Sequence, residues 1–222
     1  MLFDFHTHSV LSDGSLSPME LIRRAGVNGY TAIAITDHAG KGAMGRIIAE
    51  LKEDCALAEE YWNIRVLIGV EITHVPPGVV GVLASEARSL GAQIVVVHGE
   101  SPIEPVEPGT NRAAVSCPEV DILAHPGLIT QEEAELAAVN GVFLEITARD
   151  GHNRGNGHVV STGRRGGAHF LINSDAHEPK DLLTMDSKRI VGLGAGVTEQ
   201  ELEDCLVQGP LKLMAKLADR SR

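Results

Sequence analysis

The sequence predicts an α/β protein whose parallel sheet closes, incompletely, into a barrel. Short apolar runs that are typical of β-strands recur about every twenty to thirty-five residues along the chain. These runs occupy residues 2–5, 32–35, 66–69, 93–97, 121–124, 142–146 and 170–173, with a weaker run at 189–193. Helical patterns fill most of the gaps, and such alternation indicates a parallel sheet. Eight or fewer units favour a barrel, while their short average length predicts distorted closure.

Capping residues mark the ends of the predicted helices. Ser17 and Glu20 have the spacing of a capping box, and Pro18 stands at the first helical position, so a helix is predicted to about Gly26. Further helices are predicted over 47–62, over 77–90 with a stop at Gly91, and after capping boxes that begin at Thr130 and Thr198. No linker or repeat interrupts this series, so we expect one domain over residues 1–222.

The bulk composition limits the classes of function. The formal net charge of −11 and the aromatic content of 3% disfavour a large nucleic-acid interface, although bound cations would still admit a small phosphorylated substrate. No apolar run is long enough to span a bilayer, so we expect no signal peptide, no membrane partner and a cytoplasmic location. The three cysteines form no CxxC pair, which favours buried thiols over disulfides or zinc ligands.

Candidate metal ligands follow the predicted strands at their carboxyl ends. Nine side chains form this set: His6, His8, Asp13, His38, Glu71, His98, His125, Asp175 and His177. In barrels, the loops at this end of the strands carry the chemistry. The imidazoles of His6 and His8 point the same way because side chains two apart on an extended chain share a face. Imidazole and carboxylate donors that converge from many strand ends predict a multinuclear metal site.

The motifs around these ligands resemble those of the PHP (polymerase and histidinol phosphatase) superfamily. They are His6-Thr7-His8-Ser9 with Ser12-Asp13-Gly14, Thr36-Asp37-His38, Gly69-Val70-Glu71, His98, His125-Pro126-Gly127 and Ser174-Asp175-Ala176-His177. The resemblance runs from residue 3 to about residue 196, which is nearly the whole chain. It implies a single distorted (β/α)7 barrel of the PHP type, a trinuclear metal centre and the hydrolysis of phosphoesters.

The resemblance also implies which side chains share an ion. One ion would be held by His6, His8, Glu71 and Asp175, a second by Glu71, His98 and His125, and a third by His38, His177 and Asp13. We therefore expect two or three divalent ions of zinc, manganese or iron. Asp13 stands where some members have a histidine, and this harder anionic donor shifts the preference towards manganese or iron. We assign catalysis to Glu71, Asp175 and His177.

Hydrolysis of a phosphate ester requires an activated nucleophile and neutralised phosphate oxygens. Two ions supply both, and the expected nucleophile is a hydroxide between the ions that Glu71 bridges. Arg149 follows the predicted strand at 142–146, and its guanidinium suits phosphate oxygens. Other candidates for substrate binding are His74, Arg154, His152, Arg164 and Arg165. For each of these others, an exposed surface role explains the sequence equally well.

Three function classes remain open. We favour a phosphatase that acts on a small phosphomonoester, with histidinol phosphate as the best-known substrate among the proteins that the chain resembles. The alternative is a nucleotide phosphodiesterase or a 5′–3′ exonuclease of the same superfamily. A non-catalytic RNA-binding subunit, as in ribonuclease P, is disfavoured because every ligand position is filled and the chain is acidic.

Overall fold

Seven parallel strands form a nearly closed barrel in the computed structural model, which describes residues 1–220, and one two-residue strand extends its wall. The strands are β1 (Phe3–Asp4), β2 (Ala32–Ile35), β3 (His38–Ala39), β4 (Arg65–Ile72), β5 (Ile94–His98), β6 (Ile122–Ala124), β7 (Phe143–Thr147) and β8 (Phe170–Asn173). Hydrogen bonding follows the order β1-β2-β4-β5-β6-β7-β8, and β3 pairs with the end of β4. Because all of these pairs are parallel, the carboxyl ends of the strands meet at one end of the barrel.

Helices connect the strands and cover the outside of the barrel. They are α1 (Pro18–Val27), α2 (Lys41–Tyr61), α3 (Val80–Leu90), α4 (Thr110–Val115), α5 (Gln131–Asn140), α6 (Asn156–Gly166), α7 (Met185–Gly194), α8 (Glu199–Glu203) and α9 (Gly209–Arg220). Short 3-10 turns lie at Pro77–Val79, His152–Gly155 and Pro179–Asp181, and a π-helical turn lies at Asp204–Gln208. Within residues 1–220, none of the helices has the length and apolar character needed to cross a membrane.

Alternate side chains on the strands face two separate hydrophobic layers. On β5, Val95 and Val97 pack in the layer between the sheet and the helices, whereas Ile94 and Val96 pack inside the barrel. The interior layer also includes Leu213 and Leu217 of α9. The last helix therefore closes the barrel at the amino ends of its strands, and the carboxyl ends remain available for a site.

The structure confirms the seven main strand predictions and shows that the eighth was wrong. Residues 189–193 lie in α7, which begins after Thr184. The Thr184 hydroxyl accepts a hydrogen bond from Ser187 N, and Ser187 Oγ accepts one from Thr184 N. This reciprocal cap fixes the start of a helix, which continues through the segment. Val191 packs against the core there, whereas Ile190 and Leu193 are exposed.

The helix predictions differ from the structure at three helix starts. The segment predicted from residue 77 begins with the 3-10 turn Pro77–Val79, and α3 follows from Val80. Helix α2 begins at Lys41, ahead of the predicted segment 47–62. At α1, Ser17 accepts a hydrogen bond from Glu20 N as predicted, but the Glu20 carboxylate binds Arg23. Only half of that capping box therefore forms. The other two predicted capping boxes, at the starts of α5 and α8, form completely.

The barrel closes between β1 and β8 without a regular ladder. One isolated parallel bridge joins Thr7 to Ala176, beyond the ends of the two strands. Nearer the amino ends of the two strands, the buried ammonium of Lys188 on α7 donates hydrogen bonds to the carbonyl oxygens of Phe3 and Ile172. A side chain thus satisfies strand carbonyls that have no neighbouring strand, which is the physical form of the distorted closure that the sequence predicts.

Candidate metal centre

The nine side chains that the sequence predicts as ligands lie together at the carboxyl ends of the strands. His6 follows β1, Glu71 lies in β4, His98 ends β5 and Asp175 follows β8. Most of the set is buried, and the relative exposure of both His6 and Glu71 is 0%. Asp13 differs, because 55% of its side chain is exposed. The centre is therefore a buried floor of imidazoles and carboxylates with one carboxylate at its edge.

The first predicted group of ligands surrounds a common point. His6 Nε2 lies 3.5 Å from Glu71 Oε1 and 3.7 Å from Asp175 Oδ1. His8 Nε2 lies 3.2 Å from Asp175 Oδ1 and 3.7 Å from Glu71 Oε2. Neighbouring ligand atoms around one ion are about 3.0–3.5 Å apart for bonds near 2.1 Å. The separations here lie within this range or slightly above it. The geometry can hold a divalent ion.

The second predicted group lies on the other side of the same carboxylate. His125 Nε2 is 3.7 Å from Glu71 Oε1, and the rings of His98 and His125 are 4.5 Å apart between centroids. The His152 ring is 4.2 Å from that of His125. Ligand atoms of these three histidines all lie within 4.8 Å of one another. Glu71 therefore stands between two groups of donors, as a bridging carboxylate would.

The third predicted group forms around Asp13. Asp13 Oδ2 lies 3.2 Å from His177 Nε2, and Asp13 Oδ1 lies 3.7 Å from His38 Nε2. His8 also approaches this group, because its Nδ1 is 3.9 Å from Asp13 Oδ1. The structure thus brings the exposed loop carboxylate to the two histidines that the sequence assigns to it.

A second layer of carboxylates holds the ligands in place. Glu145 Oε1 accepts from His6 Nδ1 at 2.8 Å, which leaves Nε2 of that ring to face the centre. Its other oxygen accepts a hydrogen bond from the backbone N of His125. Asp37 accepts hydrogen bonds from the backbone N and the hydroxyl of both Ser9 and Ser12, and so fixes the loop that carries the Asp13 side chain.

Several donor atoms of the centre are buried without a hydrogen-bond partner. Within the described residues these include His6 Nε2, both nitrogens of His8, Glu71 Oε1, His98 Nε2 and Asp175 Oδ1. A buried polar atom left without a partner costs about 1–3 kcal/mol, so a protein does not retain such a group without compensation. Imidazole nitrogens with carboxylate oxygens are a donor set that suits zinc, manganese or iron. The residues therefore fit a group of divalent ions.

Backbone strain concentrates at this centre. Within residues 1–220, the non-glycine residues with positive φ are His74, His125 and Asp175, with angles of 54°, 28° and 53°. Such conformations cost about 1–3 kcal/mol each and cluster at functional sites. Two of these residues are predicted ligands, and the third lies two residues beyond the end of β4.

The pKa values of the groups at the centre shift in both directions. Burial and neighbouring histidines lower the pKa values of His8 and His125 well below the ordinary value. Burial works against protonation of His6, yet the carboxylates of Glu145, Asp175 and Glu71 raise its pKa well above the ordinary value. Burial also opposes protonation of His38, but Glu71 raises its pKa to about 9. For Asp175, burial raises the pKa to about 7 despite the proximity of His6. Protons would thus occupy the centre at neutral pH wherever metal ions did not.

Arg149 lies where the sequence predicts a phosphate ligand. Its side chain lines a cavity of about 50 Å³ together with predicted ligands from all three groups. Nη1 lies 3.5 Å from Asp181 Oδ2, so the guanidinium is held beside the cavity. His74 lies at the rim, with 51% of its side chain exposed. Arg154 is exposed and does not line the cavity.

The weaker arginine candidates face away from the centre. Arg164 binds Glu201 through Nε and Nη2, and Arg165 donates to Gln131 and Ser161. These contacts tie α6 to α8 and α5, on the outside of the barrel. The basic candidates between residues 152 and 165 therefore divide into surface arginines on α6 and one turn, His152–Gly155, whose His152 lines the cavity.

Two residues of the site were not predicted as ligands. The sequence suggests His152 only for substrate binding, although it lies beside His125, where burial and the facing His98 lower its pKa to about 4. Glu104 has no motif around it in the sequence, yet it lies within 3.5 Å of His74, His98 and His152. Glu104 does not directly follow a strand but lies inside the loop after β5. The rule that places ligands at strand ends therefore does not predict it.

The barrel with donors at the carboxyl ends of its strands defines an α/β-barrel protein with a candidate multinuclear metal centre. Residues 4–149 match the PHP domain family, and the chain belongs to this family. A structure from Listeria monocytogenes, described as that of a candidate histidinol phosphatase, superposes with a TM-score of 0.60 at 12% identity. The match covers 83% of this chain and 98% of that one, and it supports the fold alone.

Relatives in sequence carry several different descriptions. An uncharacterized protein of Methanocaldococcus jannaschii is 48% identical over 98% of this chain and its own full length. Ribonuclease P protein component 3 of Methanosarcina mazei is 28% identical over 96% of this chain and 89% of that protein. The DNA polymerase/3′–5′ exonuclease PolX of Bacillus subtilis is 31% identical over 78% of this chain, which spans only 34% of that protein.

Proposed function

We propose that this chain is a metal-dependent phosphoesterase that hydrolyses a small phosphomonoester, with histidinol phosphate as the reference compound. The observation that carries the proposal is the set of buried, unpartnered imidazole and carboxylate atoms that face one cavity with Arg149 beside it. Membership of the PHP domain family supports the same class of reaction. A protein from Acetivibrio thermocellus, 28% identical over 78% of this chain, is described as a phosphatase with the qualifier "Probable".

Three groups of side chains hold the ions in this proposal. His6, His8 and Asp175 form the first group, His98 and His125 the second, and Asp13, His38 and His177 the third. Glu71 lies between the first two groups and serves both. Divalent ions in such a site supply Lewis acidity and positive charge to a phosphate ester.

The protein side chains position the ligands and the substrate. Glu145 accepts a hydrogen bond from His6 Nδ1, which fixes the tautomer that turns Nε2 to the centre. Arg149 binds phosphate oxygens through its guanidinium, which Asp181 holds at the cavity. Arg154 and His74 are candidates for the part of the substrate outside the cavity, where both are exposed at the surface.

The size and the charge of the molecule support a small substrate. The cavity of about 50 Å³ is small and lined mainly by the predicted ligands, so we expect only the reacting phosphate of a substrate to enter it. The net charge of −11 repels the backbone of a long nucleic acid. Inside the centre, ions reverse the local field and admit a phosphate group.

Nucleic acid is the second candidate substrate class. It is favoured by the relatives that are described as ribonuclease P protein component 3 and as the exonuclease PolX. An exoribonuclease of Haemophilus influenzae adds 39% identity over 32% of this chain. This candidate requires a single-stranded substrate end that reaches the same cavity, and the chain has few aromatic residues on which its bases could stack.

The deciding experiment compares three substrates on protein purified without chelators and loaded with manganese, iron or zinc. We expect release of phosphate from histidinol phosphate, and loss of this activity when a chelator removes the ions. Nucleoside bisphosphates and short oligonucleotides are assayed beside it. Cleavage of oligonucleotides alone would establish the second candidate instead, and RNA binding without any hydrolysis would contradict the phosphoesterase proposal.

A further inference from the structure

The loop from 99 to 109 carries a carboxylate into the second group of ligands. Glu104 Oε2 lies 3.4 Å from His98 Nε2 and 3.5 Å from His152 Nε2. The other oxygen, Oε1, lies 3.2 Å from His74 Nε2. The two oxygens of this side chain therefore face different partners, with Oε2 directed to the centre and Oε1 to the rim.

The distances on the inner side match ligation better than hydrogen bonding. Ligand atoms in a tetrahedral site with bonds near 2.1 Å are separated by about 3.4 Å. His98 is 1% exposed, and its Nε2 has no hydrogen-bond partner although Glu104 Oε2 lies 3.4 Å away. His98 Nδ1 lies 3.0 Å from the carbonyl oxygen of Gly99, which leaves Nε2 for the centre. A buried nitrogen and a carboxylate oxygen thus face each other at the spacing of two ligands.

Hydrogen bonds between the two ends of the loop hold the segment that carries Glu104. Glu100 Oε1 accepts hydrogen bonds from the backbone N of Gly109 and of Asn111, and Asn111 Oδ1 accepts one from Glu100 N. These bonds join the two ends of the loop. Prolines at positions 102, 105 and 108 further restrict its backbone. The carboxylate is therefore presented by a closed and stiffened segment.

The loop is also packed against the turn that carries His152. A side-chain carbon on Gly151 would lie 2.4 Å from Ile103 Cδ1, and Gly151 has a φ of +83°. Only glycine allows this close approach at that backbone angle. The contact places the residues just before Glu104 and just before His152 side by side, so both side chains reach the His98 side of the centre together.

We propose that Glu104 is a further ligand of the ion that His98 and His125 hold, joined by His152 and oriented by His74. The proposal rests on the metal centre of the proposed function, and it adds a carboxylate and an imidazole to the ligands that the sequence assigns. Carboxylate–histidine pairs orient ligands in this way, with the second oxygen bonded to the imidazole. The added anionic oxygen also makes this donor set harder, which favours manganese or iron over zinc.

The experiment measures metal affinity and coordination directly, without using activity. Wild-type protein and the variants Glu104→Gln, Glu104→Asp and Glu107→Gln are titrated with Zn²⁺ and Co²⁺ against a competing chelator. Glu107 is the matched control, an exposed carboxylate on the same loop for which no ion pair occurs in the described residues. We expect Glu104→Gln to weaken one bound ion by about ten- to a hundredfold and to change the visible spectrum of bound Co²⁺.

The aspartate variant separates ligation from charge. Aspartate keeps the negative charge but withdraws the oxygens by one methylene, so we expect it to weaken the same ion as glutamine does. Full affinity in Glu104→Asp would show that charge alone matters and would overturn the assignment. Unchanged affinity and spectrum in Glu104→Gln, with several ions bound to wild type, would overturn it while leaving the metal centre intact. If wild type bound no ions, the proposed function itself would fail as well.

Discussion

The two ends of the barrel treat a buried carboxylate in opposite ways. At the amino end, Asp121 has 0% exposure, and Arg88, Lys216 and Arg220 all approach its oxygens, the last two at 3.3 Å and 2.8 Å. At the carboxyl end, Glu71 is also 0% exposed, but its Oε1 has no hydrogen-bond partner. One end of the barrel supplies its own cations, and the other presents donors that suit cations from outside.

This contrast separates stability from function within one fold. The cations around Asp121 come from α3 and α9, so the network ties the last helix across the amino ends of β5 and β6. A buried charge with such partners is compensated in the folded protein itself. Around Glu71, protonated His6 and His38 supply the positive charge in the metal-free protein, and bound ions would replace these protons. Two of the predicted ligands, His125 and Asp175, have strained backbone. The structure thus predicts different losses when either end is changed.

The largest expected effect follows from Glu71→Gln. An amide cannot offer two anionic oxygens to both ligand groups, so we expect hydrolysis to fall by about a thousandfold or more while the protein stays folded. Turnover on the best substrate, metal content and thermal unfolding are measured together. Near-wild-type turnover with full metal content would show that Glu71 does not serve both groups.

The matched change at the other end is Asp121→Asn. Three cations lose their counter-charge, but all of them are partly exposed and can reach water, so we expect a loss of about 3 kcal/mol in the free energy of unfolding. Metal content and turnover per folded molecule should not change. Denaturant unfolding of the metal-free protein measures the free energy of unfolding. A selective loss of ions in this variant would mean that the two ends are coupled.

Arg149→Ala tests the contact between the protein and the phosphate. A charge-assisted hydrogen bond to phosphate contributes about 1.5–3 kcal/mol, so we expect KM to rise by about ten- to a hundredfold with metal content unchanged. Lysine at this position should recover part of the loss because it keeps the charge without the planar fork. Steady-state kinetics with Arg112→Ala, an exposed arginine paired with Glu132 on the outside, provide the control. Unaltered kinetics in Arg149→Ala would exclude the contact.

The sequence predicts the floor of the site better than its rim. Predicted ligands such as His6 and Asp175 closely follow apolar strands, and the parallel barrel then brings every strand end to one place. Glu104 and His152 reach the centre through loop closure instead. Their positions depend on the contact between Ile103 and Gly151, which joins segments far apart in the chain and leaves no periodic signal.

The same limit applies to the fold. Strand and helix alternation predicts a distorted barrel, but Lys188 stands just before the run at 189–193 that is predicted as a strand, and nothing in the sequence marks it as buried. Only the structure shows that its ammonium fills the gap between β1 and β8 by binding Phe3 and Ile172. The strand prediction for residues 189–193 was wrong for a related reason. Short apolar runs are compatible with either a strand or a helix, and the cap at Thr184 decides between them.

The smallest expected effect is the change in metal affinity at the carboxyl end when the pH changes by one unit. In the metal-free protein the pKa of Asp175 is raised to about 7 by burial, and Glu71 raises that of His38 to about 9 against the opposing effect of burial. Both groups must lose a proton to bind an ion, so the metal affinity should rise as the pH increases from 6 to 9. Below pH 6 the metal affinity should decrease further. Each proton displaced changes the affinity by about tenfold per pH unit. Chelator-buffered titrations at several pH values measure this slope.

Asp121→Asn sharpens this last measurement, because its charge network lies at the other end and offers no site to an ion. We expect the slope of metal affinity against pH in this variant to match that of wild type. In Asp175→Asn the slope below pH 7 should decrease by about one proton, since the group whose pKa is raised to about 7 is gone. An affinity in wild type that is flat between pH 6 and pH 8 would mean that the ligands are already deprotonated. The carboxyl end would then be ready to bind ions without losing protons, just as Asp121 at the amino end is already paired with cationic side chains.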